Sequence, residues 1–150
     1  NSSHNLDFNE NKIKKGEGII VREGSDVTIA TIAPQLQTVV KTAEKLQKEK
    51  NISTEILYFP TLKPFDRKSV RESVKKTKKL ITFEELSQHD GLYSLCIKSI
   101  IGVHPVSIEQ IAINDFVHGY GSFEDLCISQ GLDAQNLYQK TLNLLNKKSF

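Results

Sequence analysis

Along this chain, short apolar runs typical of buried strands alternate with segments whose apolar residues repeat at helical spacing. The strand-like runs are rich in β-branched residues, as strands usually are, and they cover residues 18–22, 27–32, 55–59, 80–83 and 108–113. The helical segments follow the second and later runs, with apolar residues three or four positions apart. This alternation predicts an α/β domain with a largely parallel sheet and helices on both faces.

Four helices are predicted from their first residues and their apolar stripes. Pro34 suits the first turn of a helix whose stripe runs from Leu36 to Leu46. Asp66 and Asp133 are acceptable N-caps for two further helices. The remaining stripe residues are Val39, Val40 and Ala43; Val70 and Val74; Leu92, Leu95, Cys96 and Ile100; and Leu137, Tyr138, Thr141, Leu142 and Leu145.

The first two predicted strands are joined by only a tight turn at Glu23–Asp26. Adjacent parallel strands need a crossover of about a dozen residues or more. These two strands therefore cannot be adjacent and parallel, and we expect one strand of the sheet to run against the others.

The bulk properties are those of one ordinary domain. The chain has 150 residues, of which 38% are hydrophobic and 25% charged, enough for a single domain with a real core. Residues 1–15 are polar and aperiodic, and we interpret them as a linker or a remnant of expression. The predicted domain covers residues 16–150.

Charge and cysteine usage bear on partners and compartment. The net charge of +2 is too small to indicate nucleic acid, and the basic residues between 67 and 79 lack interleaved aromatics, which favours a solvated helix face. No apolar run approaches the roughly 20 residues of a membrane span, and no charged-then-apolar leader opens the chain. Cys96 and Cys127 stand apart, which favours free thiols in a reducing compartment. We expect a cytoplasmic protein that binds neither nucleic acid nor membrane.

A pair of glutamates, Glu84 and Glu85, closes the fourth predicted strand. Neighbours on a strand point to opposite faces, so the two carboxylates cannot act together on one substrate atom while the strand continues. We favour a structural or interface role over catalysis. One carboxylate would cap the loop before the next helix or pair with a basic residue.

Further polar candidates follow the fourth and fifth strands. His89, Asp90 and Gly91 precede a helix, where an anion or metal can be positioned, although a plain helix start with Asp90 as N-cap is favoured. Asp115 and His118 follow the last strand and share the carboxyl edge of the sheet with the glutamate pair. An Asp–His pair would support acid–base chemistry, but no Ser or Cys nucleophile stands beside it.

Motifs of several major enzyme classes are missing from the sequence. There is no P-loop, no GxSxG elbow and no HExxH pair. Residues 119–124 begin like a dinucleotide-binding GxGxxG loop but end in glutamate, and they do not follow the first strand. We therefore predict no catalytic, cofactor-binding or metal-binding residue in this chain.

Five short motifs stand in a fixed order along residues 16–146. They are REGSDVTIA (22–30), TLKPFD (61–66), KLITFEE (79–85), AINDFVHG (112–119) and GLD (131–133). Together they resemble the C-terminal domain of the transketolase family. That family comprises transketolases, 1-deoxyxylulose-5-phosphate synthases and the beta subunits of 2-oxo acid dehydrogenases.

The resemblance implies a three-layer α/β/α domain with a five-stranded mixed sheet whose first strand is antiparallel. It also implies a parent enzyme that uses thiamine diphosphate and magnesium, both held by two other domains. The diphosphate-binding GDG…N motif of those domains has no counterpart here. In this family the C-terminal domain mainly packs against the catalytic domains and the partner of a homodimer.

Two loops depart from the family pattern. Where the family usually has GGxGS, this chain has DGLYS at residues 90–94, and Ala33 replaces the glycine usual after the second strand. These departures indicate a divergent member, from a split or unusual transketolase-like protein.

The main hypothesis is a C-terminal domain of a transketolase-like enzyme that serves domain packing and dimer assembly rather than cofactor chemistry. One alternative is a module that binds a small anion, a metal or a regulatory ligand through Glu84, Asp90, Asp115 and His118. Another is a docking domain for an acyltransferase-type partner, as the dehydrogenase beta subunits imply, with the basic helix from Arg67 to Lys79 as its surface.

Overall fold

The computed structural model describes residues 13–87, 91–103, 105–113 and 121–147. Strands and helices alternate through most of this length, as predicted. The elements are β1 (Ile19–Arg22), β2 (Val27–Thr31), α1 (Leu36–Lys50), β3 (Thr54–Tyr58), α2 (Arg67–Thr77), β4 (Lys79–Ser87), α3 (Leu92–Ile100), β5 (Ser107–Ile113), α4 (Phe123–Ser129) and α5 (Ala134–Asn146).

The five described strands form one mixed sheet in the order β1-β3-β2-β4-β5. Strands β2 to β5 run parallel, whereas β1 pairs antiparallel with β3 at the edge of the sheet. Although only a turn separates β1 from β2, β3 lies between them, and the expectation of one reversed strand is confirmed. Every residue of β2 is buried, as a continuously apolar strand predicts.

Helices cover both faces of the sheet, which confirms the three-layer fold class. On one face, Val39 of α1 and Leu137 of α5 pack against Ile29 of β2. On the other face, Val70 of α2 and Cys96 of α3 close a second core. The sheet is therefore buried on both sides, as is usual for parallel sheets.

Two predicted helix starts are confirmed by their capping hydrogen bonds. Ser69 N donates to Asp66 Oδ1 at 3.1 Å, and Asn136 N donates to Asp133 Oδ1 at 2.8 Å. Each aspartate thereby satisfies one of the first amides of its helix, which have no partner within the helix.

Other boundaries differ from prediction. Helix α1 begins at Leu36, and Pro34 lies before it, because Gln35 N donates to the Ile32 carbonyl in a turn that holds the proline. In α5 the buried residue of the last turns is Leu144, whereas the predicted Leu142 is only partly buried. Helix α4 was not predicted, because its seven residues are too few to show a clear stripe.

Strand β4 is also longer than predicted. Its pairing with β5 continues past an irregularity to Ser87, which lies opposite Ile113. Glu84 and Glu85 therefore lie within β4 rather than at its end. A carboxylate inside a strand can contact only the elements that cover its own face of the sheet.

Candidate functional site at the carboxyl edge of the sheet

Glu84 is fully buried, and its carboxylate receives the first amides of α3. Leu92 N donates to Oε2 at 2.6 Å and Tyr93 N donates to Oε1 at 2.9 Å, while the Gln110 side chain adds a further hydrogen bond. The N-terminus of a helix has unpaired N–H groups and favours negative charge. Glu84 therefore caps α3 from the neighbouring strand.

Gly91, the N-cap residue of α3, leaves the room that this contact needs. A Cβ at this position would lie 2.2 Å from Oε2 and 2.8 Å from Cδ of Glu84. The backbone φ of −99° is ordinary, so the requirement is for space rather than for an unusual conformation. Gly91, where Asp90 was predicted as the cap, admits the glutamate to the helix end.

Burial raises the pKa of Glu84 above the ordinary glutamate value. Hydrogen bonds from Tyr93, Leu92 and Gln110 favour the charged form, but they offset the loss of hydration only in part. The donors are two backbone amides and one side-chain amide.

Glu85 faces the opposite side of the sheet. Its Oε1 accepts a hydrogen bond from Gln35 Nε2 at 2.6 Å, and the same nitrogen lies 3.8 Å from Cys127 Sγ. Gln35 stands just before α1 and Cys127 lies on α4. The two carboxylates thus join β4 to different helices, as the alternation of strand side chains requires.

Four of the seven candidate residues, His89, Asp90, Asp115 and His118, lie outside the described residues. Their grouping with the glutamate pair at the carboxyl edge stays a prediction. The three candidates that the structure describes, Glu84, Glu85 and Gly91, all make contacts within the domain.

The described part of the chain offers neither a metal centre nor a membrane span. It contains no group of three or more histidine, cysteine, aspartate or glutamate side chains placed to hold a metal ion. None of its helices combines the length and apolar character that crossing a bilayer requires. Cys96 and Cys127 are free and buried, and burial raises the pKa of both thiols.

An open groove of about 360 Å³ runs beside Gln35, between α1, α4 and the start of α5. Pro34, Cys127 and Leu132 are among its lining residues. A larger open hollow of about 590 Å³ lies at the amino edge of the sheet, near Lys50 and Leu145. The groove, unlike the hollow, is lined by Gln35, the hydrogen-bond partner of Glu85.

The sequence analysis missed a second buried carboxylate, Glu55, near the start of β3. Glu55 forms an ion pair with Lys76 and accepts hydrogen bonds from Ser73 Oγ at 2.6 Å and Gly24 N at 3.3 Å. Burial opposes its charge, but the bonds from Lys76, Ser73 and Gly24 outweigh that effect and hold the pKa of Glu55 below its ordinary value. Lys76 also reaches Glu23 at 3.1 Å.

Buried hydroxyl groups extend this cluster under α2. Thr28 Oγ1 lies 2.6 Å from Ser73 Oγ and 2.7 Å from Thr77 Oγ1. Ser73 and Thr77 stand four residues apart on the same face as Val70 and Val74. Polar residues within that apolar stripe were the available signal for a buried network.

Several basic residues of α2 are engaged within the domain. Besides Lys76, Arg71 Nε donates to the Ser99 carbonyl at 2.5 Å, and Lys68 pairs with Glu72 at 3.7 Å across an exposed turn. Through Arg71 and Lys76, α2 is therefore bonded to α3 and β3. A fully solvated helix face would lack these bonds.

Residues 16–137 match the family model described as transketolase, C-terminal domain. The match includes the whole described sheet and the glutamate pair. The chain belongs to the transketolase C-terminal domain family.

Curated relatives of this transketolase C-terminal domain are subunits or enzymes of greater length. The chain is 34% identical over 120 residues to the pyruvate dehydrogenase E1 component subunit beta-1 of Arabidopsis thaliana, covering 77% of this chain and 33% of the relative. It is 28% identical over 145 residues to the 6-deoxy-6-sulfo-D-fructose transketolase subunit SqwH of Clostridium sp. (strain MSTE9), covering 97% of this chain and 45% of the relative. It is 27% identical to the 1-deoxy-D-xylulose-5-phosphate synthase of Geobacillus sp. (strain WCH70), covering 95% of this chain and 23% of the relative.

A solved structure shares the fold closely. The split gene transketolase described as an inactive beta4 tetramer superposes with a TM-score of 0.83 at 28% identity, covering 91% of this chain and 45% of that one. The domain thus spans less than half the length of each relative described here.

Proposed function

We propose that this domain serves the assembly of a transketolase-like thiamine-diphosphate enzyme. It packs against the other domains of that enzyme and supports a dimer, while thiamine diphosphate and magnesium are held elsewhere. The observation that carries the proposal is the engagement of the glutamate pair: Glu84 caps α3, and Glu85 holds Gln35. Carboxylates at the carboxyl edge of the sheet, where open α/β sheets commonly bind ligands, thereby serve the domain itself.

The contacts at the start of α3 favour a cofactor site outside this domain. A diphosphate group commonly binds at a free helix N-terminus, but the N-terminus of α3 is filled by the Glu84 carboxylate. Magnesium takes oxygen ligands, usually one or two carboxylates together with phosphate oxygens and water, and the described part of the chain holds no group of three or more His, Cys, Asp or Glu side chains placed for a metal ion. We therefore expect thiamine diphosphate and magnesium to bind to other domains of the enzyme.

The relatives support an assembly role. The chain spans 33% of a beta subunit of pyruvate dehydrogenase and 45% of a transketolase subunit. A domain that forms only part of a larger subunit must bury surface against the other domains if the subunit is to be compact.

A chimera tests the assembly role. Residues 16–147 would replace the matched part of the split-gene transketolase beta chain, and the assembly state would be measured by light scattering after size exclusion. We expect the chimera to form the tetramer of the parent beta chain. A monomeric chimera, with both parts folded by circular dichroism, would contradict the proposal.

Calorimetry tests the absence of cofactor binding. Thiamine diphosphate with magnesium would be titrated into the 150-residue chain, and we expect no heat of binding at micromolar concentrations. A micromolar dissociation constant would overturn this part of the proposal.

A further inference from the structure

Helix α4 exposes apolar side chains that the domain itself does not cover. Phe123 is 59% exposed and Ile128 is 53% exposed, whereas Cys127 is the one buried residue of the helix. By contrast, α1, α2 and α5 each bury four residues. Single exposed apolar residues are ordinary, but these two share one short helix and one groove.

The N-terminus of α4 is capped by residues of this domain. Ser122 and Asp125 make a reciprocal capping box, with Asp125 N donating to Ser122 Oγ at 3.2 Å and Ser122 N donating to Asp125 Oδ2 at 3.2 Å. This arrangement satisfies amides that a helix otherwise leaves free. Phe123 and Ile128 are therefore presented by a helix whose first turn is already stabilised.

Apolar residues are part of the lining of the groove beside α4. They are Pro34 and the buried Cys127 and Leu132. An open groove of this kind, with Phe123 and Ile128 on its rim, accommodates an inserted side chain better than a flat surface does.

The charges around the groove are mainly acidic. Glu124 and Asp133 line it, with Lys41 as the basic residue among the lining side chains. Asp125 stands in the first turn of α4, and Glu85 bonds to Gln35 at the groove wall. Burial raises the pKa of the Cys127 thiol, and the negative charges of Glu85 and Glu124 nearby raise it further.

We propose that the groove between α4 and α1 is the surface on which the rest of a transketolase-like subunit docks, through an apolar side chain flanked by lysine or arginine. This inference rests on the proposed function. The apolar rim excludes water around the inserted side chain, and the acidic groups select a basic partner through charge complementarity.

A second copy of this chain fits the groove less well. In a symmetric dimer the same patch meets itself, which would bring Glu124 and Asp125 of one copy toward the same acidic patch of the other. Like charges across an interface are unfavourable. The relatives extend well beyond the matched region, so a different part of a longer subunit is the occupant that the charges favour.

Hydrogen exchange in the chimera described above tests the docking surface. Amides of residues 123–129 would be compared between the isolated 150-residue chain and the split-gene chimera. We expect exchange in this segment to slow at least tenfold in the chimera. Unchanged exchange in a chimera that assembles would overturn the inference while leaving the proposed function in place.

Three variants of the chimera refine the test. Phe123→Glu and Ile128→Glu should each weaken assembly at least tenfold, whereas Ile101→Glu, at a residue that is 71% exposed after α3, should leave it unchanged. Circular dichroism of the same variants in the isolated chain checks that α4 substitutions leave the fold intact. Equal assembly of all three variants would overturn the inference.

Charge and concentration separate the remaining outcomes. Glu124→Lys should weaken assembly at low salt more than at high salt, because screening reduces the attraction that it removes. Protection of residues 123–129 in the isolated chain that grows with its own concentration would identify a second copy as the occupant and overturn the inference. A chimera that fails to assemble with the wild-type groove would count against the inference and the proposed function together.

Discussion

Two buried glutamates on the same face of the sheet have surroundings that shift their pKa values in opposite directions. Glu55, near the start of β3, receives the ammonium group of Lys76 and the hydroxyl of Ser73, and its pKa is lowered. Glu84, late in β4, receives backbone amides and the Gln110 side chain, and burial raises its pKa. A buried carboxylate therefore stays charged most easily where a cation reaches it.

Each glutamate also depends on a glycine beside it, for different reasons. At Gly24 a Cβ would meet the backbone of β3, 2.1 Å from Glu55 N and 2.2 Å from Thr54 C. At Gly91 the atoms nearest to a Cβ would belong to the side chain of Glu84, with Oε2 at 2.2 Å and Cδ at 2.8 Å. The backbone of a paired strand moves less readily than a side chain. An added methyl group should therefore destabilise the domain more at Gly24 than at Gly91.

The largest expected effect is that of Gly24→Ala. The new methyl group would force the turn after β1 away from β3, and we expect the free energy of unfolding to fall by about 3 kcal/mol, the upper range for overpacking. Urea unfolding followed by circular dichroism measures it. Gly121→Ala is the matched control, because its nearest contact would be an ordinary 3.4 Å to Asp125 Cβ. Equal stability of the two variants would show that the Gly24 contact relaxes freely.

The next effect separates the two glutamates by their partners. Lys76→Met leaves the Glu55 carboxylate buried without its cation. We expect the free energy of unfolding to fall by about 2 kcal/mol, as for the loss of a hydrogen bond to a charged group. Lys75→Met, on an exposed position of the same helix, should change stability by less than about 0.5 kcal/mol.

A double variant checks the reason for that loss. Adding Glu55→Gln to Lys76→Met removes the stranded charge, so the pair should be more stable than Lys76→Met alone. A double variant that is less stable than the single one would mean that Lys76 contributes packing rather than charge.

The smallest effect is a pH dependence of opposite sign at the two sites. The lowered pKa of Glu55 gives stability that is complete above the unfolded value, about 4.3, and is lost as pH falls through the folded pKa. The raised pKa of Glu84 gives stability that is complete below that value and is lost as pH rises through the folded pKa. Relative to Glu55→Gln, the wild type should weaken on acidification; relative to Glu84→Gln, it should weaken on raising the pH from 4 to 7. Urea midpoints of the three proteins, measured from pH 7 down to well below the unfolded glutamate value of about 4.3, give both signs, and parallel curves would remove the contrast.

Features that depend on near neighbours were predicted well. Asp66 and Asp133 cap helices because the amides that they accept lie three residues ahead. The reversed strand followed from the shortness of the turn at Glu23–Asp26. The role of Gly91 was missed, since the carboxylate that needs its space belongs to another element.

The sequence by itself determined the alternation of strands and helices, the reversed first strand and the family, because periodicity, turn length and motif order are written in consecutive residues. Only the tertiary structure decided which carboxylate meets a cation and which meets a helix end. Glu55 and Lys76 are 21 residues apart, and Glu84 reaches α3 from a neighbouring strand. Burial and charge at each site are set by groups that folding brings together. Folding likewise decides which apolar residues of α4 stay exposed.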